Sequence, residues 1–298
     1  MKIPALLLLL LSPAALAATP DPSDATSANL ISLDYYLRPG ALRSDLSFSS
    51  QLHEESGSNT VSFLRGTFFL EYGLPSDGLR VSVSESQAIT AYNGQASSDF
   101  FSGVTEPTFQ VNYRFCDGLP GGWSFDGQVD LTPSFGTYTY GSSQYPGTQL
   151  SPSTSLGLTA AAFLRQGPNE TRFSGNLTHR FTGSFTSQVY PGQVTTSDPY
   201  WTGSLAITDR LHVVPRFYVQ AETAFDFGNS INYTYADGST STSSAPFHVD
   251  PTVSMGYLAN SQLLLTAHLS YAGYTSTLTA SSSTFRETSW GATAVIEF

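Results

Sequence analysis

The stretch Trp290-Gly-Ala-Thr-Ala-Val-Ile-Glu-Phe298 alternates apolar residues with polar or small ones and stops on an aromatic ring. Extended backbone turns successive side chains to opposite faces. Trp290, Ala292, Ala294, Ile296 and Phe298 therefore share one face, and Gly291, Thr293, Val295 and Glu297 share the other. A strand of this kind offers one side to lipid and the other to a lumen.

From Leu42 onward the same unit recurs: an alternating segment, then a break rich in Gly, Pro, Asn, Asp or Ser. The clearest runs from Trp123 to Phe135. Phe109 to Phe115, Thr171 to Phe185, Trp201 to Ile207, Phe217 to Phe227, Phe247 to Tyr257 and Leu263 to Tyr271 are equally regular. Weaker ones lie at Leu42 to Leu52, Val61 to Tyr72, Leu79 to Ala91 and Leu156 to Leu164. The breaks alternate in length. Short ones fall near Leu74 to Gly78, Asp117 to Gly122, Gln166 to Glu170, Asp209 to His212 and Ala259 to Gln262. Long ones fall at Asn93 to Gly103, Gly136 to Ser153, Gln188 to Asp198, Gly228 to Pro246 and Thr275 to Phe285. Short turns on one side and long loops on the other define an all-β fold: a transmembrane antiparallel up-and-down β-barrel of about 12 strands over residues 41–298.

Composition agrees. Charged residues make up 12% of the chain against roughly 25% in soluble domains, and aromatics reach 13%. Lys2 is followed by an apolar run to Leu11 and by Ala15-Leu16-Ala17, so residues 1–17 read as a secretory signal, which implies export to a bacterial, Gram-negative outer membrane. Residues 18–40 show little alternation and read as a periplasmic leader or a plug in the barrel mouth. After Lys2 the remaining basic residues are eleven arginines against 23 acids, which excludes a phosphate-binding face and hence nucleic acid as a partner. Cys116 reads as a small strand-end residue.

Depth patterning sharpens the outward face. Trp123, Phe173, Phe185, Trp201, Phe217, Phe225, Phe227, Tyr257, Tyr271 and Trp290 sit near strand ends, with Val129, Leu131, Leu205, Val219, Val253 and Leu269 between them. Aromatic girdles around an aliphatic belt match two membrane interfaces. The opposite parity predicts the lumen: Arg114, Asp126, Gln128, Asp130, Arg165, Arg172, Arg180, Glu222, Asp226, His248, Asp250, His268, Glu287 and Glu297. Ions on this face avoid the cost of lipid burial. Asp126 and Asp130 are expected to reach across Gly157, Thr159 and Ala161 to Arg172 and Arg180. Such charges either neutralise each other in a filled lumen or line a selective constriction.

Catalytic motifs find little support. His268-Leu269-Ser270 resembles the His-x-Ser of outer-membrane phospholipase, but both residues fall on the inward parity and that family's asparagine strand is missing. His248 with Asp250 is too little for an omptin-like protease. His179 shares the lipid-facing parity of Leu177 and Phe181, which predicts a β-bulge, an interfacial position or a subunit contact. The sequons at Asn169, Asn176 and Asn232 carry nothing in a bacterial chain. The five histidines are scattered, so neither a metal site nor a cofactor is expected.

The closing strand resembles the C-terminal signal read by the outer-membrane assembly machinery, which assigns that role to Trp290, Ile296 and Phe298. With Glu106-Pro-Thr-Phe-Gln-Val-Asn-Tyr-Arg114, the overall plan is similar to the outer-membrane transporter family associated with meta-pathway phenol degradation. That resemblance implies uptake of aromatic or other hydrophobic compounds. The expected function is a passive, non-enzymatic channel for small solutes in contact with outer-membrane lipid. Arg114, Asp126, Asp130, Arg172, Arg180, Glu222, Asp226, His248, Asp250 and His268 would line it. Two rivals remain: a sealed structural or adhesive barrel acting through loops such as Asp237 to Ser244, and an outer-membrane hydrolase using His179, His248 or His268.

Overall fold

The computed structural model describes residues 30–33, 35–55, 59–76, 78–93, 100–104, 106–134, 138–140, 153–187, 194–243, 247–274 and 285–298. The predicted signal segment lies outside them.

Twelve wall positions close into one antiparallel barrel. In chain order the first half is built by β1 (Leu42–Glu55), β2 (Asn59–Gly73), β3 (Leu79–Asn93), β4 (Phe100–Val104), β5 (Thr108–Leu119), β6 (Trp123–Thr132) and, after the short β7 (Tyr138–Tyr140), β8 (Ser155–Gln166). The second half is built by β9 (Asn169–Arg180), β12 (Tyr200–Val214), β13 (Phe217–Gly228), β16 (Phe247–Asn260), β17 (Leu263–Tyr274) and β18 (Phe285–Glu297). β4 and β5 count once, because both pair with β3, one with each half. Pro107, which has no N–H to donate, separates them. β1 and β18 pair from Arg43↔Glu297 to Glu55↔Phe285, and with the β2–β3 pairing this closes the sheet on itself. Leu42 and Phe298 exchange both backbone hydrogen bonds at this seam, at 3.2 and 2.8 Å.

Alternation decides which face meets what. Trp290 is 62% exposed, Val253 61% and Leu205 57%, and they stand in a belt with Phe173, Trp201, Phe225, Tyr257, Tyr271, Val129, Leu131 and Leu269. A continuous apolar surface of this extent requires a lipid solvent. Gly291, Val295 and Glu297, on the other parity of β18, are buried inside.

Several predicted boundaries move. Asp209 to His212 is no turn: β12 continues to Val214, since Asp209 accepts from Thr171 at 2.7 Å and Arg210 turns inward to Gln220. Cross-strand partners satisfy the charges that made the stretch look like a break. β5 likewise runs on to Leu119, with exposed Cys116 at a register shift within it. The segment from Thr171 to Phe185 divides. β9 ends at Arg180, and β10 (Gly183–Ser187) leaves the wall.

Where that strand goes was not expected. β10, β7, β11 (Val194–Ser197), β14 (Ile231–Thr234) and β15 (Thr240–Ser243) form a second, five-stranded sheet ordered β15-β14-β11-β10-β7 at the loop end. Three of the long connections thus carry paired backbone where the sequence reads as loop. The Ser/Thr-rich stretch after Asp237 is the outer arm of a hairpin, tied by Tyr235 and Ser241 hydroxyls 2.8 Å apart. The backbone of Phe185, expected in the wall, pairs instead with Thr195 and Tyr138 in this sheet.

Candidate functional site: the lumen and its turn-end mouth

Inside the barrel, side-chain chemistry changes with height. At the turn end a chain of ions crosses five strands. Arg43 meets Asp45 at 2.5 Å and Glu71 at 3.8 Å. Arg80 bridges Glu71 at 3.6 Å and Asp126 at 3.2 Å, and Arg114 holds Asp126 at 2.7 Å and Asp117 at 3.5 Å. Register explains the Arg114–Asp126 pair, because the two residues lie directly opposite on β5 and β6. Asp126 therefore does not reach Arg172, as expected from parity alone: two nearer guanidiniums claim both its oxygens. Arg172 faces Phe163 with its guanidinium 5.6 Å from the ring centre, and Glu222 accepts from the buried Thr208 at 2.8 Å.

The opposite wall of the same mouth is apolar. Tyr218, Leu258, Leu264 and Val295 point inward from β13, β16, β17 and β18 and are buried. Tyr218 lies flat over Gly256, where a Cβ would come within 2.2 Å of its ring. Residues 30–33 and 35–41 complete both walls. Leu30 and Ile31 join the apolar cluster, and Leu37 is 1% exposed. On the ionic side Tyr36 stacks under Arg80 and Arg114, with guanidinium-to-ring distances of 4.6 and 4.8 Å. Tyr35 sits beneath Arg43 at 5.3 Å. Burial, and next the Glu297 carboxylate, push the Tyr35 phenol above its usual pKa.

Backbone contacts fix the segment in place. Gly40 donates to the Gly73 carbonyl at 2.8 Å, and Gly73 donates to Ala41 at 3.0 Å. A Cβ on Gly73 would lie 2.1 Å from the Arg38 carbonyl oxygen, so only glycine permits this approach. Glu170, beside the β8–β9 turn, accepts from Ser32 Oγ at 2.7 Å, from the Leu33 amide at 2.6 Å and from Arg165 Nε at 2.8 Å. His212 Nε2 stands 3.2 Å from the same carboxylate. Arg210 donates to the Ile31 carbonyl at 2.6 Å while its guanidinium covers Tyr218 at 3.8 Å.

Above this mouth hydroxyls and amides pair with one another across strands, with a few ions among them. Ser47 and Thr293 hydroxyls lie 2.9 Å apart, Thr67 and Ser86 2.8 Å, Thr108 and Thr132 2.7 Å, and Asn176 donates to Thr159 at 2.8 Å. Asp130 accepts from Gln128 at 2.5 Å and leans over Gly157 towards Thr178, not towards Arg180. Arg180 packs on Tyr200 at 6.0 Å. His268 lies over Gly291, and Ser270 pairs with Ser289, so the two members of the His-x-Ser motif have separate surroundings. Nearer the loop end, strand pairing places Asp226 opposite His248, with Asp250 two residues on. His248 Nε2 is 3.2 Å from Asp226 and 3.3 Å from Asp250.

His179 has no bulge beside it: β9 and β12 stay in register from Asn169↔Leu211 to Arg180↔Tyr200. Its ring packs against Trp201 at 4.3 Å and edge-on to Phe181 at 4.7 Å, within the loop-end aromatic girdle.

Sequence reading missed Arg43, Asp45, Glu71 and Arg80, and with them the mouth. A usable signal was present: Leu258, Leu264 and Val295 are large apolar residues on the lumen parity at strand ends. In an open barrel such residues would face water without cause.

No family model and no curated protein matches the sequence. Among solved structures the chain is similar to an outer membrane channel of Pseudomonas putida F1, with a TM-score of 0.69 and 15% identity over 90% of this chain and 99% of that one. It is also similar to the transport unit of the autotransporter AIDA-I from Escherichia coli, with a TM-score of 0.52 and 11% identity over 91% and 95% of the two chains. At these identities the likeness establishes the fold, that of outer-membrane β-barrels.

Proposed function

We propose that the chain is an outer-membrane channel for passive movement of small solutes, with its turn end facing the periplasm, its loop end facing outward, and residues 30–41 closing the periplasmic mouth. The observation that carries this reading is the origin of the closure. The middle of the wall pairs its own hydroxyls and amides across strands, and the seal is a separate segment held by side-chain contacts, by backbone hydrogen bonds with Gly73 and by two hydrogen bonds to Glu170. A barrel meant to stay solid would fill its own middle with wall side chains. Small neutral solutes suit such a lining, and the resemblance to phenol-pathway transporters extends the class to aromatic compounds.

In this reading Trp290, Ile296 and Phe298 are presented to the assembly machinery before β18 closes on β1, and the apolar belt then meets outer-membrane lipid. Single-channel recording in planar bilayers tests the proposal. The chain lacking residues 30–41 should give steady openings of larger conductance than the full chain. A folded but silent deletion variant would sink the channel. It would favour a sealed adhesive barrel, for which the five-stranded sheet at the loop end is the supporting observation.

A further inference from the structure

The cluster of Asp226, His248 and Asp250 has no part in the closure described above. One long connection separates Asp226 from the other two in sequence, and the β13–β16 pairing brings them together. Their ligating atoms all lie within 4.8 Å of one another. All three side chains are 28–29% exposed, so the cluster faces the lumen with room for further ligands.

Two contacts converge on one atom. His248 Nε2 stands 3.2 Å from Asp226 Oδ2 and 3.3 Å from Asp250 Oδ2. A single N–H directed at two carboxylates can align with only one of them. A divalent ion about 2.1 Å from the imidazole nitrogen and from either carboxylate oxygen would subtend roughly 100° between that nitrogen and that oxygen, between tetrahedral and octahedral values. On Asp250, Oδ2 is the oxygen that faces His248, and Oδ1 is shielded from solvent with no hydrogen-bond partner among the described residues. A carboxylate oxygen so placed is costly to leave empty, and a cation relieves that cost.

We propose that Asp226, His248 and Asp250 form a divalent transition-metal site in the loop-end lumen. One imidazole and two carboxylates form a mixed nitrogen and oxygen donor set that suits Zn²⁺ and disfavours Mg²⁺ and Ca²⁺, which take oxygen ligands. The two carboxylates balance the ion's charge, and the open side leaves positions for water or a passing solute. Rigid paired strands hold two of the three donors directly opposite each other, so little reorganisation accompanies binding.

Zn²⁺ titrated calorimetrically into the full refolded barrel at neutral pH tests the site. One equivalent should bind, Mg²⁺ should give no saturable heat, and Asp226→Asn or Asp250→Asn should each weaken Zn²⁺ by at least about tenfold, in line with loss of a ligand. The decisive variant is His248→Lys, which keeps a cation between the carboxylates but removes the metal donor; it should abolish binding. Absence of saturable Zn²⁺ binding, or equal binding by wild type and His248→Lys, would overturn the proposal and leave an ion triad bridged by protonated histidine. Should a variant fail to fold, Co²⁺ added to the wild-type chain decides. A d–d spectrum distinct from aqueous Co²⁺ supports the site, and an unchanged aqueous spectrum refutes it.

Discussion

The two ends of this barrel solve the same problem, how to place polar groups inside a narrow lumen, in opposite ways. At the turn end full charges are packed against an inserted segment and largely shielded from water, as with Arg80 and Glu71, whose side chains are 8% and 4% exposed. At mid-barrel, hydroxyls and amides pair across strands, and the residues that carry them are half-buried. Ions withdrawn from solvent depend on every partner being present, whereas neutral hydroxyls can exchange a lost partner for water. The turn end is therefore specific and fragile, and the middle is permissive.

The largest break in this comparison should come from Gly73→Val. A side chain there meets the Arg38 carbonyl, a backbone atom that cannot step aside while residues 30–41 stay seated. The wall should still close, because β1, β2 and β3 pair on either side of the residue. Single-channel conductance should rise several-fold with the circular dichroism of the barrel unchanged. A seated segment and unaltered conductance would mean that the closure is more compliant than its contacts imply.

Next in size is Arg80→Ala. Glu71 and Asp126 would lose their shared cation, and Tyr36 would lose one of its two guanidinium neighbours. Stranding carboxylates in a shielded site costs about 3 kcal/mol. Urea unfolding of the vesicle-inserted barrel should record that loss, and a change below about 1 kcal/mol would show that water already reaches the ion chain.

Strand alternation made the wall legible from Leu42 to Phe298, because a two-residue period has to be written into each strand that separates lipid from lumen. The mouth was harder to read. Arg43, Asp45, Glu71 and Arg80 are ordinary lumen-parity ions until residues 30–41 are placed against them, and that placement depends on contacts more than a hundred residues apart, such as Ser32 to Glu170. The Asp226–His248 pairing was hidden for the same reason. The loop-end sheet was missed because its strands are three to five residues long and rich in Ser and Thr, a composition that reads equally well as loop.

A smaller effect separates seating from wall stability. The seated Tyr35 phenol has a pKa above its ordinary value, while an unseated Tyr35 in water would ionise near 10, as free tyrosine does. Seating is then fully favoured below pH 10 and weakens as pH rises through that value, because deprotonation stabilises only the released form. Conductance of the full chain should increase above pH 10, and Tyr35→Phe should remove that rise. An identical alkaline response in Tyr35→Phe would assign it to another group.

The smallest effect should come from the permissive middle. Thr67 and Ser86 share a hydrogen bond across β2 and β3, and Thr67→Val removes it while keeping the β-branched shape that suits a strand. Ser86 keeps its other contacts and its hydroxyl can also turn to water, so the loss should be no more than about 1 kcal/mol. Urea unfolding of the vesicle-inserted barrel measures it on the same scale as Arg80→Ala. A cost equal to that of Arg80→Ala would mean that mid-lumen water cannot replace the lost partner. The neutral lining would then be part of a packed interior, and the contrast between the two ends would fail along with the argument for a conducting lumen.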